Sequence, residues 1–279
     1  MNAVPRIHYL SRATRLQFWV LASIGILLLA PILFQIIARE HAAYSVQVPN
    51  ALQKPSRAEW FGTDPLGRSQ WNRTLIGTAI SLRTVAGAIV MALPLSLVLG
   101  SIAGSRSGQW PDHVISWVIA LLHTIPFFLL VVAVAALAGP GTSALPWLIG
   151  SVIWAPAARL ARAETVRILE SPYVRAIRAG GASSLQIFTR CLFPQITPPT
   201  TVCLFYLFPE VIGIDAILTL FGLGPKPPTP SLGTLVFEGI RRWDNAPWLA
   251  GLPCALLMIL CLFVHFLADK IGAQLQSSR

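Results

Sequence analysis

The chain of 279 residues is 54% hydrophobic and only 11% charged, whereas a soluble globular protein carries about 25% charged residues. That composition excludes an ordinary soluble domain and indicates a helical membrane protein. We assign the net charge of +10 to contacts with lipid headgroups and to loop orientation, and nucleic acid is not an expected partner, because no zinc-finger spacing or RNA-binding aromatic motif accompanies the charge.

Long apolar runs predict about six transmembrane helices, since about 20 apolar residues are needed to cross the hydrocarbon of a bilayer. Gly139-Pro140-Gly141 divides one long uncharged stretch into two of these helices. The predicted fold class is therefore an all-α integral membrane protein with membrane lipid around it. In chain order the predicted spans are residues 16–38, 84–104, 114–138, 143–160, about 191–221 and 248–268.

Arginines predict the orientation of the helices. The segment 159–190 is rich in arginine, and the N-terminal tail adds Arg6, Arg12 and Arg15. With six spans these two regions lie on the same side, which the positive-inside rule makes cytoplasmic. Both termini are then expected in the cytoplasm.

Ionisable residues near membrane depth are candidates for a solute pathway or gate, because such groups normally face a partner or a cavity. Glu210 and Asp215 lie near the outer end of the fifth predicted span, and His123 lies beside Pro126 in the third. The alternatives are a structural pair for the two carboxylates and a packed polar residue for His123. Asp64, Arg68 and Arg73 precede the second span and are expected in a solvated turn outside the membrane.

The chain carries no recognisable catalytic motif. There is no GxxxxGK[ST] loop for nucleotide phosphates, no HExxH and no GxSxG. The five histidines are scattered and the four cysteines form no CxxC pair, so neither a metal site nor a cofactor is expected. We therefore predict that the chain is not an enzyme, and that any active transport draws its energy from a partner or an ion gradient.

The segment ESPYVRAIRAGGASSLQIFTRCLFPQ, residues 170–195, is called the elbow below. Ser171 suits a helix N-cap and Pro172 the first helical position. Apolar residues then recur at helical spacing at Val174, Ile177, Gly181 and Leu185. The pattern predicts a short amphipathic helix, a joint at Gly180-Gly181 and a second short helix on the cytoplasmic surface. Taken alone, it is also compatible with an interfacial helix that merely joins two spans.

The elbow resembles the coupling loop of binding-protein-dependent ABC importer permeases, whose pattern is approximately YVEAARALGAS followed by LP. In that family the loop contacts the ATPase subunit. The resemblance implies that the following residues take part in ATPase coupling: Tyr173, Arg175, Ala176, Arg178, Gly181, Ala182 and Pro194. Arg175 stands where the family usually has Glu, so the partner surface is expected to carry matching substitutions.

Two further segments resemble the dipeptide/oligopeptide/nickel group and its C-type subunit. FGTDPLGRSQWNRTLIGTAISLR, residues 61–83, is similar to GTDxLGRDxxSRxxxGxxxSL, with Ser69 in place of Asp. DAILTLFGLGPKPPTPSLG, residues 215–233, is similar to EAxLSFLGLGxxxPxPxWG. We call Asp64, Gly67, Arg68 and Arg73 the external signature. The alternative to a solvated structural turn is that these residues dock a substrate-binding protein.

The resemblance implies a type I ABC importer permease in the bacterial cytoplasmic (inner) membrane. Residues 1–60 would hold the cytoplasmic tail, first span and an external segment, and residues 61–279 the permease domain, with the coupling loop at about 165–195. The expected partners are a second homologous permease, two ATPases and an extracytoplasmic binding protein. The expected cargo is dipeptides or oligopeptides, or alternatively nickel or a metallophore. An ion-coupled transporter and a membrane receptor are the competing hypotheses.

Overall fold

The computed structural model describes residues 25–26, 29–38, 40–138, 144–221 and 223–277. Over these ranges the chain is helical, and the only β-pairing is an isolated bridge between Thr63 and Ser69. A 3₁₀ turn at Val48–Asn50 and a π-helical turn at Phe188–Leu192 interrupt the α-helices. The α-helices are α1 (residues 29–37), α2 (Glu40–Tyr44), α3 (Gln70–Ser105), α4 (Trp110–Thr124), α5 (Phe127–Ala138), α6 (Leu145–Leu169), α7 (Pro172–Ala179), α8 (Ser184–Ile187), α9 (Phe193–Tyr206), α10 (Phe208–Leu220), α11 (Leu232–Ile240) and α12 (Trp248–Ser277).

Helices α3 and α6 pack closely because glycines remove side chains from their interface. A Cβ atom added to Gly100 would lie 2.6 Å from the carbonyl oxygen of Ala158, and one added to Gly104 would lie 2.6 Å from Cβ of Thr165. Small residues of this kind let membrane helices approach closely. The hydroxyl of Ser96 also donates a hydrogen bond to the carbonyl of Trp154 at 2.9 Å. This helix pair forms the scaffold for the remaining elements.

Two helices are long and apolar enough to cross a membrane among the described residues: Gln70–Ser105 and Trp248–Gln274. A third candidate combines Ser184–Tyr206 with Phe208–Leu218, which meet at a bend of 43°. The helix that contains the predicted second span begins earlier than Thr84, at Gln70. Residues 16–24 and 27–28 of the predicted first span lie outside the described ranges, and the count of six stays a prediction.

The predicted third span is divided at Pro126. Helix α4 ends at Thr124 and α5 begins at Phe127. Proline has no N–H to continue the helical ladder and keeps the residue before it out of the helical region. Ile125 accordingly has extended backbone angles, φ −86° and ψ 130°.

Two apolar clusters organise the interior. The larger one joins α3, α6, α9 and α10 through buried residues that include Ile89, Ile149, Leu204 and Phe208. A smaller cluster lies beneath the elbow. Large apolar side chains on α12 face outward, which suits a protein surrounded by lipid or by another subunit: Met258, Ile259, Leu262, Phe263 and Phe266.

Candidate functional site

The elbow has the predicted local structure. The Ser171 hydroxyl accepts a hydrogen bond from the amide of Val174 at 3.4 Å, and Pro172 opens α7, as the sequence predicts. Helix α7 ends before Gly180, and Gly181 has φ +87°, a left-handed conformation that glycine adopts without a steric cost. Ser183 then forms a capping box with Gln186 that starts α8. The S-x-x-Q spacing signals this capping box, but it was not among the predicted features.

One face of the elbow is anchored in the protein. Val174 is only 1% exposed and belongs to the small cluster with Leu97 of α3, Ile168 of α6 and Ile196 of α9. Ile177 and Ala182 pack against the same cluster. The elbow therefore contacts the ends of three long helices at once, and a displacement of α7 would be passed to all of them because interiors are close-packed.

The predicted apolar stripe is wrong at two positions, Gly181 and Leu185, which are both exposed. Val174 and Ile177 turn inward, but Leu185 is 71% exposed. The left-handed backbone at Gly181 interrupts the helical register, so the residue of α8 that enters the cluster is Ile187. A pattern read with one uniform helical period could not anticipate this change.

The opposite face of the elbow is open to its surroundings. Tyr173 and Leu185 are exposed apolar side chains, and Arg175, Ala176 and Arg178 are exposed beside them. A Cβ added to Gly181 would have no atom within 4 Å. Glycine is therefore favoured at this position by the left-handed backbone conformation and not by packing. Aromatic and arginine side chains together are typical of protein–protein interfaces.

Within the elbow, a π-helical turn connects α8 to α9. It spans Phe188–Leu192, and Pro194 follows in the first turn of α9. Because proline cannot donate a backbone hydrogen bond, an uninterrupted α-helix is disfavoured here. Pro194, the last of the predicted coupling residues, thus lies where the elbow turns into a long helix.

An ion pair next to the elbow was not anticipated. Arg162 of α6 donates two hydrogen bonds to Asp112 in the first turn of α4, at 2.5 and 2.7 Å. These bonds from Arg162 hold the pKa of Asp112 well below its usual range. The amide of Gly108 also donates to Asp112 at 2.9 Å. The pair ties α4 to α6 at the elbow end. From the sequence, Arg162 was only one of several orienting charges.

Replacing Asp112 by Ala is expected to lower the free energy of unfolding by about 1–2 kcal/mol, because Asp112 is buried while the side chain of Arg162 is 33% exposed. Since the folded pKa is lowered, the stabilisation is present above the usual aspartate pKa of about 4 and is lost only as the pH falls through the folded value. Thermal unfolding in detergent should therefore separate Asp112→Ala from the parent protein equally at pH 6 and pH 8. The exposed Glu170→Gln is the control, and an equal loss there would contradict the assignment.

The external signature is a buried ion cluster. The Asp64 carboxylate accepts hydrogen bonds from the amides of Leu66 and Arg68, both at 2.9 Å, and from Nε of Arg68 at 2.6 Å. Asp64 and Arg73 are each only 2% exposed. The expectation of a solvated turn is therefore wrong for these two residues, because the chain folds over them.

Gly67 explains how this turn closes. Its φ is +74°, and an added Cβ would lie 1.8 Å from the carbonyl oxygen of Gln47. The turn therefore packs directly against the segment before it, where no larger residue fits. Arg73 extends the cluster, with Nε 3.5 Å from Asp64 and Nη2 3.1 Å from Glu238 of α11.

The signature and the elbow lie at opposite ends of α3. Arg73 is in its first turn, and Leu97 lies under the elbow near its other end. At 1.5 Å per residue the two positions are roughly 36 Å apart along the helix. That separation exceeds the hydrocarbon thickness of about 30 Å, so the two sites fit opposite faces of one membrane.

The three candidate pathway residues are not brought together. Asp215 of α10 is buried and accepts a hydrogen bond from the Ser81 hydroxyl at 3.4 Å. The same hydroxyl accepts a hydrogen bond from the amide of Leu232 at 3.1 Å. This network joins α3, α10 and α11. Glu210 and His123 are exposed on α10 and α4. Among the residues that the structure describes, no group of three or more His, Cys, Asp or Glu is placed to hold a metal ion.

Comparison with known proteins gives the family. Residues 96–274 match the model of the binding-protein-dependent transport system inner membrane component. The chain is 32% identical over 211 residues to the dipeptide transport system permease protein of Lactococcus lactis subsp. cremoris, covering 76% of this chain and 61% of that protein. It is 27% identical to the oligopeptide transport system permease protein of Bacillus subtilis, covering 90% and 83%.

A solved structure supports the fold. The methionine ABC transporter MetNI, in inward-facing conformations, aligns with a TM-score of 0.52 and 23% identity over 74% of this chain and 93% of that one. The family model covers more than half of the chain, and residues 96–274 include the elbow and the segment after α10. The chain therefore belongs to the binding-protein-dependent transport system inner membrane components, the permease subunits of ABC importers.

Proposed function

We propose that this permease forms half of a translocation pathway for dipeptides or oligopeptides, together with a second homologous permease. Two ABC ATPase subunits engage the elbows, and an extracytoplasmic binding protein delivers the solute to the opposite face. The observation that carries this proposal is the two-faced elbow, with Val174 anchored in the protein and Tyr173, Arg175 and Arg178 exposed.

The anchored face gives a mechanical route. When ATP binding draws the two ATPases together, each elbow moves with its ATPase. Val174 passes the movement to Leu97 and Ile196, and so to α3 and α9. The pathway then shifts between inward-open and outward-open states, because the ATPases bind ATP with different affinity in the two states of the transporter. Hydrolysis takes place in the partners and resets the cycle.

Peptides are the proposed cargo. Relatives named for dipeptide and oligopeptide transport support that class and give the nickel or metallophore alternative no comparable support. The protein that delivers the solute sets the choice within the peptide class. The proposed location is the bacterial inner membrane with both termini in the cytoplasm. The elbow must lie on the same side of the membrane as the termini to reach an ATPase.

Reversing the charge of the elbow is expected to weaken ATPase binding. The double variant Arg175→Glu/Arg178→Glu leaves Val174 in place, because both arginines are exposed. Truncating or reversing contacts of this kind at an interface costs about 2–5 kcal/mol when the partner charge is buried. Co-purification of the ATPase with the tagged permease should fall at least about tenfold.

Arg106→Glu is the matched control, because Arg106 is an exposed residue that follows α3 at the same end of the molecule. It should retain the ATPase. Undiminished co-purification with Arg175→Glu/Arg178→Glu would count against the proposed docking face. Loss in both variants would assign the effect to general surface charge.

A further inference from the structure

A basic cavity lies at the end of the molecule opposite the elbow. Its volume is about 370 Å³, which is within the range of small-ligand sites. Four cationic side chains line it, Arg68, Arg73, Lys226 and Arg241, and Glu238 is its one acidic side chain. An excess of cationic groups around one enclosed space favours an anionic occupant.

The floor of the cavity is a buried arginine with unused donors. The side chain of Arg73 is 2% exposed, and its Nη1 has no hydrogen-bond partner among the residues that the structure describes. Asp64 accepts a 2.6 Å hydrogen bond from Arg68 and lies 3.5 Å from Nε of Arg73. Glu238, whose side chain is 50% exposed, pairs with Nη2 of Arg73, so neither carboxylate reaches Nη1. A buried cation with an unpartnered donor is costly, so the negative charge of a carboxylate in the cavity would stabilise Arg73.

The walls of the cavity are preformed. Pro225, Pro227 and Pro228 form one side, and proline fixes its own φ angle. Arg241 lies over the ring of Phe237 with its guanidinium carbon 5.8 Å from the ring centroid. A site that needs little ordering loses less free energy when a ligand binds.

The rim resembles a protein interface. Ile240 and Trp243 are exposed large apolar residues immediately beside Arg241, and aromatic and arginine side chains are enriched where proteins bind one another. The lining comes from the turn before α3, the first turn of α3, the segment between α10 and α11, and α11 with the Arg241 that follows it. Because the start of α3 lies opposite the elbow, the cavity lies at that end of the bundle.

We propose that this cavity receives an acidic side chain of the substrate-delivering binding protein. The carboxylate enters between Lys226 and Arg241 at the rim and lies near the guanidinium group of Arg73. The contact fixes the register of the binding protein over the pathway. This inference rests on the proposed function, because it requires that a binding protein docks on the face opposite the elbow.

The test is binding of the transporter's own purified, fluorescently labelled binding protein to the assembled transporter in nanodiscs. Lys226→Glu/Arg241→Glu should raise the Kd at least about tenfold, because both side chains are exposed and the fold is retained. Lys54→Glu, an exposed charge reversal at the same end but outside the cavity, should leave the Kd within about twofold. Basal ATPase activity should be unchanged in Lys54→Glu, which shows that the control transporter is intact.

A Kd within about twofold of the parent in Lys226→Glu/Arg241→Glu would overturn the proposal, and so would an equal loss in Lys54→Glu. Discs of neutral and of anionic phospholipid separate a lipid headgroup from a protein side chain. An effect seen only in anionic discs would assign the cavity to lipid and overturn the proposal. Failure of the proposed function is distinguishable, because the unmodified complex would then lack a bound ATPase altogether.

Discussion

Replacing Gly181 by Val is expected to reduce peptide uptake at least about tenfold while the permease still inserts in the membrane. Gly181 has φ +87°, where a residue with a side chain pays roughly 1–2 kcal/mol and a β-branched one is a genuine outlier. The backbone relieves this strain by rotating, which moves α8 and displaces Ile187 from the cluster it shares with Val174. The measurement is uptake of a labelled dipeptide by proteoliposomes that contain the complete transporter.

Gly108 supplies the matched control. It has φ +77°, an added Cβ would also have no atom within 4 Å, and it lies at the elbow end of α3. Gly108→Val therefore introduces a similar backbone strain outside the elbow. Uptake per inserted transporter should stay within about twofold of the parent. Equal loss of uptake in Gly108→Val and Gly181→Val would show that strain at this end, and not the shape of the elbow, sets the rate.

Replacing Asp64 by Ala is expected to lower the free energy of unfolding by about 3–5 kcal/mol, since removing one partner of a buried ion pair leaves an uncompensated charge. Asp64 accepts from two backbone amides and from Arg68, and it lies 3.5 Å from Nε of Arg73. Asp64→Asn should recover only part of the loss, because the amide restores the shape but not the charge. Thermal unfolding in detergent measures the difference.

Glu238→Gln is the control for the same cluster. Its carboxylate is 3.1 Å from Nη2 of Arg73 but its side chain is half exposed, so water can replace it. The expected loss is only about 1 kcal/mol. If Asp64→Ala and Glu238→Gln had equal effects, the cluster would not be organised around Asp64.

Local features were predictable where one residue determines them. Ser171, Pro172 and Gly181 have the conformations that their chemistry favours, and the elbow follows from them. The start of α3 was not predictable from hydropathy, because Thr74 and Thr78 are polar. Their hydroxyls donate to the carbonyls of Gln70 and Thr74 at 2.7 and 2.8 Å, and both side chains are buried inside the helical bundle.

Contacts between distant segments could not be predicted from one sequence. Arg73 pairs with Glu238 across 165 positions, and Arg162 pairs with Asp112 across 50. No local pattern links these residues, because their proximity results from how α3 packs with α11 and how α4 packs with α6. The basic cavity depends on the same packing. Its four cations come from two distant parts of the sequence, with Arg68 and Arg73 in one and Lys226 and Arg241 in the other.

We propose that the exposed face of the elbow contacts an ATPase on the cytoplasmic side. The most direct measurement places the photo-crosslinking amino acid p-benzoylphenylalanine at position 173, in place of the exposed Tyr173, in cells that express the whole transporter. We expect a covalent adduct between the permease and an ABC ATPase. When p-benzoylphenylalanine instead replaces Met258, an exposed residue of α12, we expect no adduct with the ATPase. Absence of the ATPase adduct at position 173, or labelling of that position from outside intact cells, would contradict the account.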